Sequence, residues 1–419
     1  MVAESHESKR RILFLTPQMP YPPEQGTALR NFNLITQIAT QHDVALLTFA
    51  EPGSEPMQTG PLSEICSPLQ VIPAPTRTMR HRLRTLLLSD KPDMAQRLAS
   101  PAYADALRHL LSNHSFDIVQ VEGIEMAPYG LLIRQWLGQR SPPILFDAHN
   151  AEYLLQKRTY QTDIRHITRW PGALYSLIQW KRLERFERQI CGRADAVATV
   201  SSDDARALRR LVPFIDLVTV PNGVDIERYH PGLPDSLSLD RPAVLFTGKM
   251  DYRPNVDAML WFHRQVWPQV RQRVPDARLY VVGKSPHRRL APLQRDPSVH
   301  LTGYVPDILP YFGGADAYVV PLRMGGGTRL KVLEAMAAGV PLVSTPLGAE
   351  GIDLDPEEHA IIADTPDAFA EGLVRVIQDI RMARTMAAAA RRLVEQQYDW
   401  QSIAPRLEAM YAGLSRGIG

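Results

Sequence analysis

The sequence repeats one pattern in its two halves: short aliphatic runs alternate with longer amphipathic stretches. Short apolar runs that alternate with helical patterns predict parallel β-sheets covered by helices. Such an order restricts the chain to α/β folds with right-handed crossovers. We therefore predict seven strands in the first half and six in the second. They are RILFLT, HDVALLTFA, LQVIPA, FDIVQVEG, PPILFDAH, DAVATVS and LVTVPNG, then AVLFTG, RLYVVG, VHLTG, DAYVVPL, PLVST and HAIIA.

A stretch rich in proline, glycine and serine separates the halves. It contains HPGLPDSLSLDRP and has neither helical nor strand periodicity, which is typical of a linker. We therefore predict domains over residues 1–225 and 243–398, with residues 226–242 as the linker. A final amphipathic helix is predicted over residues 399–419.

Composition excludes several classes of protein. The net charge of +2 over 419 residues is too small to indicate a nucleic-acid partner. The isolated cysteines, Cys66 and Cys191, have neither zinc-site nor disulfide-framework spacing and suit a reducing compartment. No apolar run reaches the length of ~18 residues that a membrane span needs, and the N-terminus lacks the apolar core of a signal peptide. We expect a cytoplasmic protein, either soluble or peripheral at the inner face of the cell membrane.

Three consecutive glycines follow the strand DAYVVPL, and a helix is predicted directly after them. Glycine lets the backbone approach a ligand, and a helix N-terminus offers unpaired N–H groups. Two cations in the predicted first turn are unfavourable there unless an anion binds. A carboxylate one turn later can accept hydrogen bonds from hydroxyls. This pattern favours a nucleotide-diphosphate sugar over a βα turn with solvated basic residues. The residues are Gly325, Gly326, Gly327, Thr328, Arg329, Lys331 and Glu334.

Other predicted strands also end in residues that suit a ligand. Gly248 and Lys249 follow AVLFTG, Gly283 follows RLYVVG, and His149 ends the strand in FDAHN. Ligands of parallel α/β sheets bind beyond the carboxyl ends of the strands. A histidine at such an end can orient a hydroxyl or respond to nearby charge, although many lone histidines are structural.

Two segments combine basic and apolar residues. TRTMRHRLRTLLL covers Thr76 to Leu88, and WPGALYSLIQWKR covers Trp170 to Arg182. Arginines beside leucines or aromatic rings suit an anionic membrane surface, and they equally suit a solvated helix face that covers the domain. The pair Asp353 and Asp355 is a short DxD pattern, for which a solvated loop is favoured over a metal site.

Three stretches together resemble the retaining glycosyltransferases of family 4, the glycosyl transferases of group 1. They are RLKVLEAMAAGVPLVST, PNGVD at Pro221–Asp225 and FTGKMDYRPNVDAMLWF. The resemblance covers nearly the whole chain. It implies the GT-B fold, in which two Rossmann-like parallel-sheet domains face a central cleft. The first domain would bind the acceptor, the second would bind the nucleotide sugar, and the last helix would cross back to the first.

The resemblance also implies roles for particular residues. Glu334 matches the glutamate that holds ribose hydroxyls, and His149 matches an acceptor-domain histidine near the transferred sugar; these two are the catalytic candidates. Diphosphate contacts are expected from Arg329 and Lys331, with further donor contacts from the strand ends and the base. The expected donor-binding set is Gly248, Lys249, Arg253, Gly283, Tyr304, Val305, Gly325, Gly326, Gly327, Thr328, Arg329, Lys331 and Glu334. The acceptor-side set is Gly26, Arg30 and His149.

The chain departs from the family pattern at two places. Many members carry a second glutamate eight positions before the one matched by Glu334, where this sequence has Gly326. The usual arginine–lysine pair after the first strand of the second domain is altered to Lys249 and Arg253.

The resemblance implies metal-independent transfer of a sugar, with retention, from a nucleotide-diphosphate sugar to an acceptor hydroxyl. The expected acceptor is a lipid-linked or polysaccharide glycan of the cell surface, with peripheral contact to an anionic membrane. No cofactor and no nucleic acid are expected. Two alternatives stay open: a nucleotide-sugar 2-epimerase of the same fold, and a non-catalytic nucleotide-sugar-binding subunit of a glycan assembly complex.

Overall fold

The computed structural model describes residues 9–23, 26–50, 59–165, 169–327 and 329–416. The chain divides into two compact units. Unit 1 comprises Met1–Pro221 and Ile403–Gly419, and unit 2 comprises Asn222–Ser402. Each unit is an α/β domain with one parallel sheet, as predicted. Among the described helices, none is both long and apolar enough to cross a bilayer.

Unit 1 is built on a seven-stranded sheet with the order β3-β2-β1-β4-β5-β6-β7. All of its strand pairs are parallel. The aliphatic side chains of its central strands are almost completely buried in a core that they share with side chains of the helices. The strands are β1 (Arg11–Thr16), β2 (Asp43–Ala50), β3 (Cys66–Pro73), β4 (Ile118–Glu122), β5 (Ile144–Ala148), β6 (Ala196–Thr199) and β7 (Leu217–Thr219).

The helices of unit 1 cover this sheet. Ser100 and Ser201 cap two of them with their side-chain oxygens, which accept the N–H groups of Tyr103 and Asp204. The helices are α1 (Gly26–Ile38), α2 (Leu62–Ile65), α3 (Met79–Leu88), α4 (Asp93–Arg97), α5 (Pro101–Asn113), α6 (Ala127–Leu137), α7 (Glu152–Asp163), α8 (Trp170–Cys191) and α9 (Ser202–Leu211).

Unit 2 is built on a six-stranded sheet with the order β10-β9-β8-β11-β12-β13. Its strands are β8 (Ala243–Thr247), β9 (Arg278–Val282), β10 (Val299–Gly303), β11 (Ala317–Val320), β12 (Leu342–Ser344) and β13 (Ile361–Ile362). Its helices are α10 (Arg253–Trp261), α11 (Trp267–Arg273), α12 (Ala291–Gln294), α13 (Leu309–Gly314), α14 (Leu330–Ala337), α15 (Pro366–Gln378) and α16 (Ile380–Gln397). The last helix, α17 (Trp400–Arg416), begins in unit 2 and contributes its residues from Ile403 onward to unit 1.

The segment predicted as a linker, residues 226–242, packs within unit 2. Tyr229 is buried, and its ring lies edge-on to Phe312 with centroids 5.5 Å apart. The guanidinium of Arg391 donates hydrogen bonds to the carbonyl oxygens of Ile226 and Tyr229. The segment lacks periodicity because it forms no helix or strand. Its few apolar side chains and its bonded carbonyls nevertheless fix it against the core.

The amphipathic stretch from Asn255 to Val274 predicts one continuous helix, and the structure divides it. A π-helical turn over Phe262–Val266 separates α10 from α11. Pro268 lies in the first turn of α11 and has no N–H for the bond to the carbonyl four residues earlier, so a continuous α-helix cannot form there. Uniform apolar periodicity does not reveal this interruption.

Strand register sets the position of both candidate sites. In unit 1, Glu122 lies beside Asp147 at the carboxyl ends of β4 and β5. In unit 2, Thr247 lies beside Val282 at the carboxyl ends of β8 and β9, so Gly248 and Gly283 follow at the same edge. The residues at these edges lie where parallel sheets bind ligands, and their binding role stays a prediction.

Candidate functional site

In unit 2, the backbones of Gly248 and Gly283 pack directly against each other after the ends of β8 and β9. A Cβ atom on Gly283 would lie 1.7 Å from the carbonyl oxygen of Gly248. A Cβ on Gly248 would lie 2.7 Å from Lys331 Nζ and 2.8 Å from Asn255 Nδ2. Since a real side chain cannot tolerate these distances, only glycine allows the two backbones and the lysine to meet here.

Lys331 lies on α14 and reaches back to the end of β8. Its Nζ donates to the carbonyl oxygen of Thr247 at 2.7 Å and to Asn255 Oδ1 at 3.0 Å. The ammonium also lies 4.3 Å from the centroid of the Phe246 ring. Burial, reinforced by the nearby positive charge of Arg329 and opposed by Glu334, lowers the pKa of Lys331 to about 7. The cation is thus held mainly by uncharged oxygens.

Glu334 lies one turn after Lys331 on the same helix. Burial raises the pKa of its carboxyl group, although Lys331, Arg228 and a hydrogen bond with the Tyr229 hydroxyl oppose that shift. Burial beside Glu334 also raises the pKa of Tyr229. The half-buried carboxylate can accept hydrogen bonds from neutral hydroxyls, as expected for a group that binds ribose.

Two glycines of the triplet adopt backbone conformations that other residues avoid. Gly325 has φ +104° and Gly327 has φ +82°. Arg329 folds back on this loop, since its Nη1 donates to the Gly326 carbonyl oxygen at 3.0 Å and its side chain is almost fully buried. Helix α14 begins at Leu330, so the prediction that Arg329 lies in its first turn is wrong: the residue precedes the helix and holds the loop. Thr328 lies outside the described residues.

The remaining predicted donor residues lie around this cluster. Lys249 is exposed, with its Nζ 3.7 Å from Asp251 Oδ2. Arg253 is exposed at the start of α10. Tyr304 is 74% exposed just after β10, and Val305 is partly buried against the core of unit 2. They share the strand-end edge with Gly248, and their contacts with a nucleotide stay predictions.

In unit 1, His149 belongs to a buried polar cluster. Its Nε2 lies 2.9 Å from Glu122 Oε2 at the end of β4. Asp147, on β5 two residues before His149, lies beside Glu122 in the sheet. The pKa of His149 is lowered by burial, but the hydrogen bond to Glu122 and the charges of Asp147 and Glu122 outweigh burial, so the pKa is raised overall. The imidazolium form of His149 is therefore favoured by two carboxylates.

Arg30 on α1 completes this cluster. It is 2% exposed, and its Nε and Nη2 donate to the two carboxylate oxygens of Asp147 at 2.9 and 3.1 Å. Its Nη1 donates to the Pro221 carbonyl oxygen at 3.0 Å. The structure thus gives Arg30 a buried ion-pair partner, while Gly26 is exposed at the first residue of α1. A direct role of either residue toward an acceptor stays a prediction.

Glu122, Asp147 and His149 bring their ligating atoms within 4.8 Å of one another, which is close enough to hold a metal ion. Their bonding does not fit that use. Both oxygens of Asp147 accept from Arg30, while the two oxygens of Glu122 are engaged by Gln120 and His149. A divalent cation would displace these bonds beside a buried guanidinium, so the cluster is an ion-paired network.

Acidic residues also fix the start of α7, directly after His149. Glu187 is buried on α8, and its two carboxylate oxygens accept the N–H groups of Glu152 and Tyr153, each at 2.8 Å. The Asp204 carboxylate accepts the N–H of Ala151 at 2.7 Å. Burial raises the pKa of Glu152 to about 7, although the hydrogen bond from Asn150 opposes the shift. These caps hold the segment that follows His149.

Sequence reasoning missed several residues of both clusters. Asn255 and Tyr229 in unit 2 lie far along the chain from Lys331 and Glu334, in a helix start and an aperiodic segment that give no signal of contact. Glu122 in unit 1 ends a predicted strand next to that of His149. The chemistry of charged residues at adjacent strand ends could have identified Glu122, because parallel strands share one ligand-binding edge.

Two family models match successive parts of the chain. Residues 25–228 match the model described as Glycosyltransferase Family 4. Residues 241–379 match the model described as Glycosyl transferases group 1. Each match lies almost entirely in one unit, and together they cover most of both units.

Similar proteins span most of the chain. A 44.6 kDa protein of the cps region of Klebsiella pneumoniae is 22% identical over 94% of this chain and 97% of its own. A GDP-mannose-dependent alpha-(1-6)-phosphatidylinositol monomannoside mannosyltransferase of Mycolicibacterium smegmatis is 29% identical over 75% of this chain and 81% of its own. The crystal structure of Anabaena HepE in complex with UDP and glucose is 15% identical, with a TM-score of 0.65 over 96% of this chain and all of that one.

Proposed function

Since this chain belongs to the group 1 glycosyltransferases of family 4, we propose that it transfers a sugar from a nucleotide-diphosphate sugar to an acceptor hydroxyl with retention of anomeric configuration. Unit 2 would bind the donor, and His149 of unit 1 would act in sugar transfer, the role that the family resemblance implies. The observation that carries this proposal is the grouping of Gly248, Gly283, Lys331 and Glu334 at one strand-end edge of unit 2.

The chemistry of this edge suits a donor. The two glycines let the ends of β8 and β9 and the Lys331 side chain pack together, which places the ammonium at the strand-end edge. The ammonium of Lys331 would pair with the diphosphate, and its pKa would rise once that anion replaces the lost hydration. The Glu334 carboxylate would accept hydrogen bonds from ribose hydroxyls, which are neutral donors.

The groups of unit 2 would also lower the transition-state barrier. Transfer passes through an oxocarbenium-like state while negative charge grows on the departing diphosphate. Fixed cations and N–H donors aimed at that charge stabilise the transition state more than the ground state. We propose attack from the same face as the leaving group, with the departing phosphate taking the acceptor proton.

We propose that the reaction is independent of metal ions. The positive charge that a divalent cation would bring to the diphosphate is available from Lys331, with Arg329 bracing the glycine loop beside it. In unit 1, the acidic cluster is neutralised by Arg30 and His149. Addition of EDTA should therefore leave donor binding and transfer unchanged.

A panel of UDP-, GDP- and ADP-sugars identifies the donor. The mannosyltransferase relative uses GDP-mannose and the solved HepE structure holds UDP, so both bases belong in the panel. A donor at 100 times its Kd should add about 2.7 kcal/mol to the stability of unit 2. Thermal shifts are compared between the wild type and Glu334→Gln, each with and without EDTA.

One donor class should shift the wild type strongly and the Glu334→Gln variant weakly. That donor is then incubated with the protein, and release of free sugar or transfer is followed. A protein that no nucleotide sugar stabilises would contradict the proposed donor site. Donor binding without any turnover would favour the non-catalytic alternative, and conversion to an epimeric nucleotide sugar without an acceptor would favour the epimerase.

We propose that the acceptor is a lipid-linked glycan reached at an anionic membrane surface. Eight of the thirteen exposed large apolar side chains of the described residues lie on α3 or between residues 164 and 175. These are Met79, Leu83, Leu87, Leu88, Ile164, Trp170, Leu174 and Tyr175. The lipid acceptor in the name of the mannosyltransferase relative supports this reading.

The two basic and apolar segments of the sequence meet in unit 1. Arg182 Nη2 on α8 donates to the Leu86 carbonyl oxygen on α3 at 2.8 Å. Side chains of both helices line a cavity of about 380 Å³. Arg80, Arg82 and Arg84 are exposed on α3 beside its leucines. Arginines that meet anionic head groups while leucines enter the interface describe a peripheral membrane contact.

Vesicle sedimentation tests this contact. The wild type should bind vesicles that contain phosphatidylglycerol and should not bind vesicles of phosphatidylcholine alone, and salt should weaken binding. Leu83→Ser with Leu87→Ser should abolish binding, whereas Phe214→Ser, which changes a fully exposed residue elsewhere in unit 1, should not. Equal binding by the three proteins, or none by the wild type, would contradict the proposal.

A further inference from the structure

We infer that Gln120 and Tyr411 are positioning residues that fix the protonation pattern of His149 through Glu122. The four side chains form one hydrogen-bonded chain that runs from α17 through β4 to the end of β5. This inference rests on the proposed role of His149 in sugar transfer, but its first test reads the histidine itself.

The chain of hydrogen bonds has a single consistent direction. The Tyr411 hydroxyl donates to Gln120 Oε1, so the amide of Gln120 presents its N–H to Glu122. Gln120 Nε2 donates to Glu122 Oε1 at 2.6 Å. Glu122 Oε2 then lies 2.9 Å from His149 Nε2. An ionised carboxylate can only accept hydrogen bonds, so the proton of this last hydrogen bond lies on His149 Nε2.

The consequence for His149 is that Nδ1 is the nitrogen left to act. Gly123 lies beside this atom, and a Cβ at Gly123 would lie 3.2 Å from it. Gly123 has φ +79°, a conformation that side-chain-bearing residues rarely adopt. The absence of a side chain keeps that flank of the imidazole open. In the neutral ring Nδ1 accepts a hydrogen bond, and in the imidazolium it donates one.

The residues of the chain are buried, so their bonds are not shared with bulk water. Gln120, Glu122 and Tyr411 are each about 0% exposed. Gln120 and Glu122 are two positions apart on β4 and therefore lie on the same face of the sheet. A buried glutamine whose two ends bond to a hydroxyl and a carboxylate cannot rotate its amide without losing both bonds. The Tyr411 hydroxyl thereby sets the orientation of the Gln120 amide, and that orientation directs an N–H group at Glu122.

Other charged groups also act on His149. Asp147 on β5 raises its pKa and Arg30 on α1 lowers it. Glu125, after β4, and Glu152, on α7, lie in the same environment, and Glu408 lies on α17 near Tyr411. Substitutions at Gln120 or Tyr411 change none of these groups. A change in the titration midpoint of His149 after such a substitution therefore reports on the hydrogen bonds that link Tyr411, Gln120 and Glu122 to it.

The test is an NMR titration of the full-length protein labelled with [¹³Cε1]histidine. Tyr411→Phe removes only the hydroxyl that orients Gln120, and Gln120→Met removes the donor to Glu122. Each substitution removes a hydrogen bond that stabilises the negative charge of Glu122. The carboxylate then attracts the proton on His149 Nε2 more strongly, which stabilises the imidazolium form of His149. The titration midpoint of His149 should therefore rise, by about 0.5 pH units in Tyr411→Phe and by more in Gln120→Met.

Two controls separate this effect from general destabilisation. Tyr103→Phe makes the same change at another fully buried tyrosine of unit 1, whose hydroxyl donates to the Leu47 carbonyl oxygen at 2.7 Å. It should leave His149 unchanged. His263, paired with Asp296 in unit 2 at 2.9 Å, serves as the internal reference in every spectrum. A His149 midpoint that stays fixed in folded Tyr411→Phe would overturn the inference.

Turnover of the donor identified above gives a second readout. Tyr411→Phe should reduce kcat about two- to tenfold, the range expected for one lost hydrogen bond, and should move the basic limb of the pH profile upward. In the His149→Ala background, the same substitution should have no further effect. A full additional loss in that background would overturn the inference, while a protein without any turnover would contradict the proposed function and leave the titration to decide.

Discussion

The polar clusters of the two units differ in how their charges are balanced. Around His149 in unit 1, opposite charges pair directly, Arg30 with Asp147 and His149 with Glu122. Around Lys331 in unit 2, the ammonium bonds to the Thr247 carbonyl and the Asn255 amide oxygen, and burial lowers its pKa to about 7.

This difference separates a cluster whose charges are already paired from one that, under the proposed function, would gain its counter-charge with the donor. A buried ion pair with good geometry is stable only while both partners are present. The half-buried Lys331 has no bonded carboxylate and loses part of its charge, and under the proposed function an incoming diphosphate would restore it. The charges of the unit 1 cluster are therefore already paired, whereas unit 2 would couple donor binding to proton uptake.

The largest expected effect is on the stability of unit 1. Arg30→Met leaves Asp147 buried without its counter-ion and should cost about 3–5 kcal/mol in the free energy of unfolding, measured in urea. Arg323→Met is the matched control in unit 2, because Arg323 pairs with Asp257 at a partly exposed site, and should cost less than about 1 kcal/mol. Similar small costs for both variants would show that unit 1 does not depend on its ion pair.

The next effect concerns the backbone of the donor edge. Gly283→Ala places a methyl group against the Gly248 carbonyl and should destabilise unit 2 by about 1–3 kcal/mol while weakening donor binding. Gly413→Ala is the control in α17, where an added Cβ meets nothing within 4 Å, and should be neutral or stabilising by up to about 1 kcal/mol. A Gly283→Ala protein with full stability and donor affinity would contradict the close approach of the two strand ends.

The smallest of these effects is on pH dependence, because the stabilities of the two units should respond to pH with opposite sign. The folded-state pKa of His149 is raised, so folded unit 1 holds a proton that the unfolded chain releases above about pH 6.5. That contribution to stability is lost as pH rises through the folded-state pKa. The folded-state pKa of Lys331 is about 7, below the unfolded value of about 10.4. Between these values, the unfolded chain binds more protons, so stability rises with pH.

Chemical unfolding over pH 6 to 9 measures both slopes, each limited to about 1.4 kcal/mol per pH unit. His149→Gln should remove the decline with pH, and Lys331→Met should remove the rise. If neither substitution alters the dependence of the unfolding free energy on pH, the raised pKa of His149 and the lowered pKa of Lys331 would be contradicted.

The sequence predicted the architecture well, because the strands are short apolar runs and the central ones are buried, while β3, β7 and β10 are largely half-buried. It also predicted that glycines and charged residues lie at the carboxyl ends of the strands, because they follow the strands directly in the sequence; their role in ligand binding stays a prediction. The division of the predicted helix over residues 255–274 and the packing of residues 226–242 could not be predicted. Both depend on a local hydrogen-bond defect and on a few long-range contacts, neither of which produces periodicity.

The side-chain partners within the sites were the least predictable part. Arg30 was expected beside an acceptor, and the structure buries it on α1 against Asp147 of β5. Arg329 was expected in a helix turn, and the structure ties it to the Gly326 carbonyl oxygen. Sequence identifies which residues are charged, but it does not show which distant atoms satisfy them.

The most direct test of the account is calorimetry of donor binding at pH 8 in two buffers of different ionisation enthalpy. With the pKa of free Lys331 at about 7, most molecules carry a neutral amine at that pH. The account predicts uptake of close to one proton when the nucleotide sugar binds the wild type, and none when it binds Lys331→Met. Donor binding without proton uptake by the wild type, or with equal uptake by Lys331→Met, would contradict it.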